Sequence, residues 1–400
     1  MPNRLSYAEF VALMAMMFST IAFSIDSMLP ALPEIGAELS PADPNRAQLI
    51  LTSFVIGMGL GTFVAGPLSD TFGRKPVILW GATVYIAAAA LAWFAPTLEL
   101  VLLARVIQGL GIAGPRIVSM AIIRDMYEGR EMARLMSIVM LIFTLVPAIA
   151  PAMGALIIDF SGWRSVFIAF ILFALVGALW MGLRQPETLP RAARRPFQAS
   201  KIRNALLEMM RIPSVRISIS VQTLCYAILF GMLSSVQPVY DQSFGRGESF
   251  HLWFGLVAVI SGTASVINAM LVVRLGMRRL VTAALFSQLV ISAAVILWEN
   301  AGLGMDLRFG LFVFWQTSVF FMVGMTLGNL NAMGMEPLGH IAGLAASMIA
   351  GTATVVAMVF AIPLGLAFDG TPLPLAIGIC GLSCVAVLLM LWLKQVEAWG

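Results

Sequence analysis

The chain has 400 residues, of which 60% are hydrophobic and only 11% are charged. A soluble domain carries about 25% charged residues, because its surface faces water, so this composition excludes an ordinary soluble domain. The net charge of +4 does not indicate a nucleic-acid partner, since most basic residues lie in the loops on one side of the predicted membrane spans given below.

Apolar runs of about 20 residues, the length that crosses a hydrocarbon core of about 30 Å, recur along the chain. They predict an all-α membrane protein with twelve transmembrane helices, since helices satisfy their own backbone in lipid. The first run is too long for a signal-peptide core and no small-residue cleavage site follows it, so we interpret it as a retained helix. The predicted spans are 7–29, 47–66, 77–95, 98–121, 133–157, 163–183, 213–236, 250–272, 280–299, 308–331, 339–364 and 372–393.

The longest polar stretch, residues 184–212, lies midway along the chain and is predicted to be a cytoplasmic linker. It separates an N-terminal six-helix bundle, residues 1–183, from a C-terminal six-helix bundle, residues 213–400. Two similar bundles that rock against each other around a central site are the expected organisation. The loops after spans two and eight are weakly similar, since both contain a glycine near basic residues.

The basic residues indicate the orientation of the spans. If the N-terminus is cytoplasmic, most of the 24 Lys and Arg residues lie in inner loops and tails. The outer loops hold only Arg46, Arg164, Arg246 and Arg308. By the positive-inside rule, both termini are predicted to be cytoplasmic.

Motifs for ATP hydrolysis and for hydrolytic chemistry do not occur. The sequence contains no G-x-x-x-x-G-K-[ST], H-E-x-x-H or G-x-S-x-G pattern, and its two histidines are isolated. Its three cysteines all lie in apolar spans, which argues against a disulfide framework or a metal site. We therefore expect no enzymatic activity and no cofactor, with an ion gradient driving any transport.

Asp26 is the one acidic residue well inside an apolar span of the first half. An ionisable group at that depth is energetically expensive and usually functional. A carboxyl group whose proton affinity changes with conformation can carry a proton across the membrane. The alternative is an acid at a helix end, solvated by water outside.

Arg105 and Arg116 both lie within span four, 11 residues apart. That spacing is three helical turns plus about 20°, so both point from one face, about 16 Å apart along the axis. Since an arginine at a helix centre costs roughly 2.5–3.5 kcal/mol in lipid, they are predicted to face a shared cavity, with Gln108 and Ile112 between them. Arg105 matches Asp26 in depth, which predicts an ion pair. Arg116 is either a substrate contact or a structural arginine that extends toward the inner face.

Four further residues are candidates for the substrate cavity. Gln222 and Tyr226 lie one turn apart on span seven, and Trp315 and Gln316 lie on span ten. Taken alone, each is more often a residue that packs or forms a hydrogen bond between helices.

Glycine and proline positions predict how the spans pack. Gly57 and Gly61, and likewise Gly339 and Gly343, are four residues apart, a spacing that predicts close helix contact. Pro115, beside Arg116, can kink span four.

The loop between spans two and three reads Gly66-Pro-Leu-Ser-Asp70-Thr-Phe-Gly73-Arg74-Lys75. It resembles the major facilitator loop signature G-x-L-x-D-R-x-G-R-K, with a threonine where the family usually has a basic residue. Asp70 is predicted to accept hydrogen bonds from a neighbouring helix end and to latch the inner gate, while Arg74 and Lys75 face the lipid surface. The alternative is that both cations are only positive-inside anchors.

Other segments resemble the bicyclomycin- and chloramphenicol-resistance type of drug/proton antiporter. Residues 24–33 read S-I-D-S-M-L-P-A-L-P and are similar to that branch's S-x-D-M-Y-L-P-A-L-P. Residues 105–111 match R-x-x-Q-G-x-G. Pro147, Pro151 and Gly154 look like its proline- and glycine-bearing antiporter motif.

This resemblance implies a proton-coupled efflux transporter for small amphipathic compounds, working by alternating access in the bacterial cytoplasmic membrane. Asp26 would exchange proton and substrate, and Arg105 would tune the pKa of Asp26. Arg116 departs from this branch, which usually has a small residue there, and would favour anionic or electronegative compounds. The expected partners are a small-molecule substrate, protons and the lipid bilayer, with no nucleic acid, and the protein is expected to be a monomer. The alternative is a proton-coupled transporter of one organic-acid-like metabolite on the same fold. A third possibility, a membrane-embedded enzyme or scaffold, lacks support because the sequence contains no catalytic cluster.

Overall fold

The computed structural model describes residues 5–299 and 301–399, without the side chains of residues 133, 342 and 396–399. The described residues form α-helices, joined by turns, short 3-10 or π-helical segments and one longer linker, and contain no strand. The helices are α1 (Tyr7–Asp26), α2 (Leu32–Leu39), α3 (Leu49–Phe72), α4 (Arg74–Trp93), α5 (Leu98–Met126), α6 (Gly129–Ser161), α7 (Ser165–Arg184), α8 (Ala199–Arg211), α9 (Pro213–Pro238), α10 (Phe250–Leu275), α11 (Met277–Glu299), α12 (Met305–Met335), α13 (Ala342–Leu366) and α14 (Leu373–Trp399).

Twelve helical segments of the described chain are long and apolar enough to cross a membrane. The predicted fold class, an all-α protein with twelve transmembrane helices, is therefore confirmed. The short α2 and the linker helix α8 are additions that hydropathy does not reveal. Several helices also extend beyond their predicted spans, as α6 does at Gly129, because polar residues continue a helix after the apolar run has ended.

The chain divides into two compact units, Met1–Arg203 and Asn204–Gly400. Within the first unit, α5 packs against α1, α3 and α4, while α1 also contacts α6 and α7, and α4 contacts α7. Within the second unit, α12 packs against α9, α10 and α11, while α9 also contacts α13 and α14, and α11 contacts α14. When the six membrane-spanning helices of each unit are matched in chain order, these contacts are the same in both units. Each unit therefore repeats one packing scheme.

Two loops show the repeat in backbone detail. Gly73 ends α3 with φ 107°, and Gly276 ends α10 with φ 82°. Each glycine donates its backbone N–H to the carbonyl four residues earlier, at 3.0 Å to Ser69 and 2.9 Å to Val272. Both conformations lie where a side chain is strongly disfavoured, which explains why glycine recurs in the two loops.

Close approach between α5 and its neighbours depends on glycine. A Cβ atom at Gly109 would lie 2.1 Å from the Phe54 carbonyl oxygen, and one at Gly57 would lie 1.9 Å from that of Val106. The predicted contact at Gly57 and Gly61 is therefore present. The same prediction for Gly339 and Gly343 is wrong, since a Cβ at either meets nothing within 4 Å among the described residues.

Pro115 lies inside α5, which runs without a break from Leu98 to Met126. Its ring is part of the contact with α4, because a Cβ at Gly81 would lie 2.9 Å from Pro115 Cδ. The proline therefore packs against α4 at Gly81, and no interruption of the helix accompanies it.

The predicted linker is not an open loop. Residues 187–195 contact the loop between α3 and α4, and α8 covers residues 199–211, with Ala205 and Met209 buried. The division between the two units falls inside α8, after Arg203.

Large apolar side chains are exposed along the helices of both units. Phe160 is 85% exposed and Val273 is 88% exposed. An apolar surface of this kind is unfavourable in water and is suited to contact with lipid.

We predict that Gly109→Ala destabilises the first unit, because the new methyl group would overlap the backbone of α3. Overpacking of this kind costs about 1–3 kcal/mol, and a fall of several degrees in Tm in detergent would show it. Gly310→Ala in α12 is the matched control, since a Cβ there meets nothing within 4 Å among the described residues. An unchanged Tm for Gly109→Ala would contradict the close backbone contact.

Candidate functional site

The Asp26 carboxyl group lies at the end of α1, and the residue is 5% exposed. Among the described residues, its side chain forms no ion pair. The predicted ion pair with Arg105 is therefore wrong, because the guanidinium group is directed at the backbone of α1. An acid freely solvated at a helix end does not fit the burial either.

Arg105 is fully buried and binds backbone oxygens in place of a carboxylate. Its Nη2 donates to the Ser24 carbonyl at 2.9 Å, its Nε donates to that of Ile50 at 3.3 Å, and its Nη1 donates to Gln108 Oε1 at 2.7 Å. Ser24 lies in the last turn of α1, where carbonyl groups have no helical partner and the helix dipole is negative. Arg105 thus caps α1 from α5.

Aromatic rings complete the environment of this guanidinium group. Arg105 Cζ lies 4.3 Å from the ring centroid of Phe54 and 5.7 Å from that of Phe170. The negative faces of such rings attract a desolvated cation. A buried arginine is therefore stabilised here without a formal counter-charge.

Tyr85 extends the cluster to α4. The Ser24 hydroxyl donates to the Thr20 carbonyl at 2.6 Å, so the buried Tyr85 hydroxyl, which contacts Ser24 Oγ, is the donor in that second bond. One serine of α1 thus accepts from α4 through its side chain and from α5 through its carbonyl. Four spans meet immediately before Asp26.

Both arginines of α5 reach α3, as their predicted common face requires. Arg105 contacts the Ile50 carbonyl, and Arg116 Nη1 lies 3.8 Å from Met58 Sδ. Ile112 lies between them and is 1% exposed. Arg116 is half-buried and forms no ion pair with a described residue. Its contact with a substrate stays a prediction.

α6 passes the end of α1 at Gly154. A Cβ there would lie 2.1 Å from the Ser27 carbonyl oxygen. Pro147 and Pro151 lie inside the same uninterrupted helix. The predicted antiporter motif therefore places α6 directly against the residue that follows Asp26.

The signature loop between α3 and α4 contains a compact group of charges. Arg74 Nη1 donates to Asp70 Oδ1 at 2.6 Å and to Ser69 Oγ at 2.7 Å, and Arg74 Nε donates to Asp125 Oδ2 at 3.0 Å. The Ser69 hydroxyl donates to the Gly66 carbonyl at 2.8 Å. The Arg74 side chain is only 11% exposed, so it lies within the protein between two carboxylates.

Two predictions for this loop are wrong. Arg74 does not face the lipid surface, because Asp70 and Asp125 hold it inside. Asp70 accepts from a guanidinium group and not from a helix end. The carboxylate at the start of α4 is that of Glu187, which accepts the backbone N–H groups of Arg74 and Lys75.

In the second unit, Gln222 and Tyr226 lie one turn apart on α9, as predicted. Gln222 is 2% exposed, and its Oε1 has no hydrogen-bond partner among the described residues. The Tyr226 ring stacks on Phe230, with centroids 6.0 Å apart.

The two candidates on α12 have different neighbours. Trp315 Nε1 donates to Ser292 Oγ at 3.0 Å, in α11. The Tyr240 hydroxyl donates to Gln316 Oε1 at 2.8 Å, while Gln316 Nε2 has no partner among the described residues. Trp315 is therefore bound within the α11–α12 contact, and Gln316 keeps an unused donor.

Sequence reasoning missed several residues of these clusters. Ser24 and Tyr85 give little signal, although a tyrosine inside an apolar run is a buried hydroxyl that needs a partner. Glu187 gave a clearer signal, since it is the one acidic residue among the arginines of residues 184–207.

Twelve apolar helices in two units of the same packing, with a buried arginine and a buried carboxyl group in the first, define a polytopic membrane transporter. Residues 11–362 match the family described as Major Facilitator Superfamily. The chain belongs to this superfamily, and the predicted family is confirmed.

Relatives and solved structures agree. A bicyclomycin resistance protein homolog of Haemophilus influenzae is 29% identical over 333 residues, covering 82% of this chain and 81% of that protein. A multidrug resistance protein of Citrobacter koseri is 28% identical, covering 92% of each chain. The crystal structure of a D-xylose–proton symporter matches with a TM-score of 0.75 and 16% identity, covering 96% of this chain and 97% of that one. The protein is a multi-pass protein of the bacterial inner membrane that carries small molecules.

We predict that Arg105→Lys destabilises the first unit by about 2–4 kcal/mol, because one ammonium group cannot replace donors to α1, α3 and Gln108 together. Thermal unfolding in detergent measures this. Arg116→Lys in the same helix is the control and costs less than about 1 kcal/mol. Equal losses for the two variants would argue against Arg105 as the cap of α1.

Proposed function

We propose that this protein is a drug/proton antiporter that exports small amphipathic compounds by alternating access. The observation that carries the proposal is the Asp26 carboxyl group, which is buried at the end of α1 and has no cation bound to it among the described residues. An ionisable residue inside a membrane span is by default a candidate for a functional role. Without a permanent counter-charge, its protonation can follow the conformation of the protein.

The substrate class is supported by the relatives. One is named for bicyclomycin resistance and one for multidrug resistance. In this proposal the chain exports compounds of that kind, with protons moving inward as substrate leaves. The protein acts as a monomer and as a transporter only, without enzymatic activity.

Each candidate residue of the first unit has a proposed role. Asp26 exchanges proton and substrate, and Arg105 acts by fixing the end of α1 beside it. Arg116 meets electronegative groups of the substrate. Within the second unit, Gln222, Tyr226 and Gln316 stay candidate substrate contacts. The Arg74 group with Asp70 and Asp125 holds the inner gate.

The proposed topology places both termini in the cytoplasm, each six-helix bundle being one moving body. The support is the bias of lysine and arginine toward the loops on the Asp70 side. The Asp26 end of α1 then faces outward.

Asp26→Asn should abolish proton-driven transport, because the amide keeps the shape of the side chain but cannot titrate. Sealed vesicles with the purified protein, given a bicyclomycin gradient with or without a pH gradient, measure this. We expect that the pH gradient no longer accelerates bicyclomycin transport by the variant. The variant should still carry bicyclomycin down the concentration gradient of bicyclomycin itself.

The matched control is Asp43→Asn, an exposed acid in the loop before α3, which should behave as the unaltered protein. If Asp26→Asn responds to the pH gradient as fully as this control, Asp26 has no part in coupling. If the unaltered protein ignores the pH gradient, the exporter is not proton-coupled.

Arg116→Ala should weaken transport of anionic or strongly electronegative compounds about tenfold or more. Its half-buried guanidinium group has no acidic partner among the described residues and is therefore available to such groups. Lipophilic cations such as ethidium should be transported nearly as before. Arg116→Lys should restore only part of the loss, because lysine lacks the planar fork.

The comparison uses chloramphenicol, ethidium and a small organic acid in the same vesicles. Equal losses for all three would make Arg116 a structural arginine. Transport of the organic acid alone by the unaltered protein would favour the metabolite transporter over the drug exporter.

A further inference from the structure

Residues 187–195, here called the clasp segment, follow α7 and contact the signature loop. The Glu187 carboxylate accepts three backbone N–H groups. Oε1 accepts from Arg74 at 2.9 Å and from Leu189 at 2.9 Å, and Oε2 accepts from Lys75 at 3.1 Å. One side chain thus fixes its own turn and the first turn of α4.

α4 begins without a cap of its own. Gly73 precedes it and has no side chain, so the first N–H groups of α4 need an acceptor from elsewhere. A carboxylate at this positive helix end is favourable both as an acceptor and as a charge. Gly73 also makes room for it, since a Cβ there would lie 2.5 Å from Glu187 Oε2.

The clasp segment also touches both acids that hold Arg74. The Thr188 hydroxyl donates to Asp125 Oδ2 at 2.9 Å, the same oxygen that accepts from Arg74 Nε. The Arg195 backbone N–H donates to the Asp70 carbonyl at 3.0 Å. Every member of the Arg74 charge group is therefore bound to the segment through its backbone or its side chain.

We propose that Glu187 is a positioning residue for the inner gate, an inference that rests on the proposed transport function. The backbone N–H of Arg74 donates to Glu187, while the guanidinium group of Arg74 donates to Asp70 and Asp125. The start of α4 cannot shift without moving that guanidinium group. Glu187 thus sets the geometry in which the gate closes and is expected to affect turnover, not substrate affinity.

Glu128 offers a matched comparison within the same unit. It stands directly before α6 and is exposed, as Glu187 is, but its side chain caps no N–H group of the described residues. Removal of either carboxylate takes one negative charge from the same side of the protein. The difference between the two variants is therefore the hydrogen bonding.

The test compares Glu187→Ala, Glu187→Gln and Glu128→Ala in the full-length protein, reconstituted in sealed vesicles. For Glu187→Ala we expect the maximal rate of bicyclomycin transport to fall about tenfold with the half-saturating concentration unchanged within about twofold. Glu187→Gln keeps one acceptor oxygen and should recover part of the rate. Glu128→Ala should transport as the unaltered protein does.

Hydrogen exchange gives a readout that does not depend on transport. The amides of residues 74 and 75 should exchange about tenfold faster in Glu187→Ala than in Glu128→Ala, with the second unit unchanged.

A normal maximal rate in Glu187→Ala with faster exchange would make Glu187 a structural cap only and overturn the proposal. A half-saturating concentration that rises as the rate falls would also overturn it. If the unaltered protein transports nothing, the proposed function fails. In that case, unchanged hydrogen exchange at residues 74 and 75 in Glu187→Ala would separately reject the role of Glu187 in positioning α4.

Discussion

The end of α1 is held by a guanidinium group from another helix, and the arrangement of the first unit depends on this contact. α1 must stop near Asp26, and a helix that stops inside an apolar bundle leaves carbonyl groups without partners, which lipid cannot supply. Arg105 binds the Ser24 carbonyl and also reaches α3 through Ile50. The helix end is satisfied, and the part of the chain that the structure describes places no cation on the Asp26 carboxyl group.

A buried arginine is usually explained by a buried carboxylate, and here that explanation fails for a physical reason. Backbone oxygens, Gln108 and two aromatic rings together replace a counter-charge. An ion pair with Asp26 would have fixed that carboxyl group in its ionised form. Binding the helix backbone instead stabilises the cation and leaves the acid free to gain and lose a proton, which the proposed antiport requires.

The sequence made the twelve spans predictable, because each apolar run is long and few charges interrupt it. It also made Asp26, Arg105 and the Arg74 loop visible, since charged groups are rare among these residues. Their partners were not predictable. Periodicity gives the face of α5 that carries Arg105, but not which of α1's groups it meets. Glu187 is 113 residues from Arg74, and no local pattern relates the two.

The two units share a backbone scheme but not its chemistry. Gly73 and Gly276 end equivalent helices with the same type of turn, because the geometry of the loop requires glycine wherever the repeat occurs. Asp70, however, has Val273 at the equivalent position, three residues before the glycine. A feature needed for folding is thus kept in both units, whereas the acid beside the turn is present in one. The charge group around Arg74 is therefore not a requirement of the fold, as expected if it has the gate role proposed above.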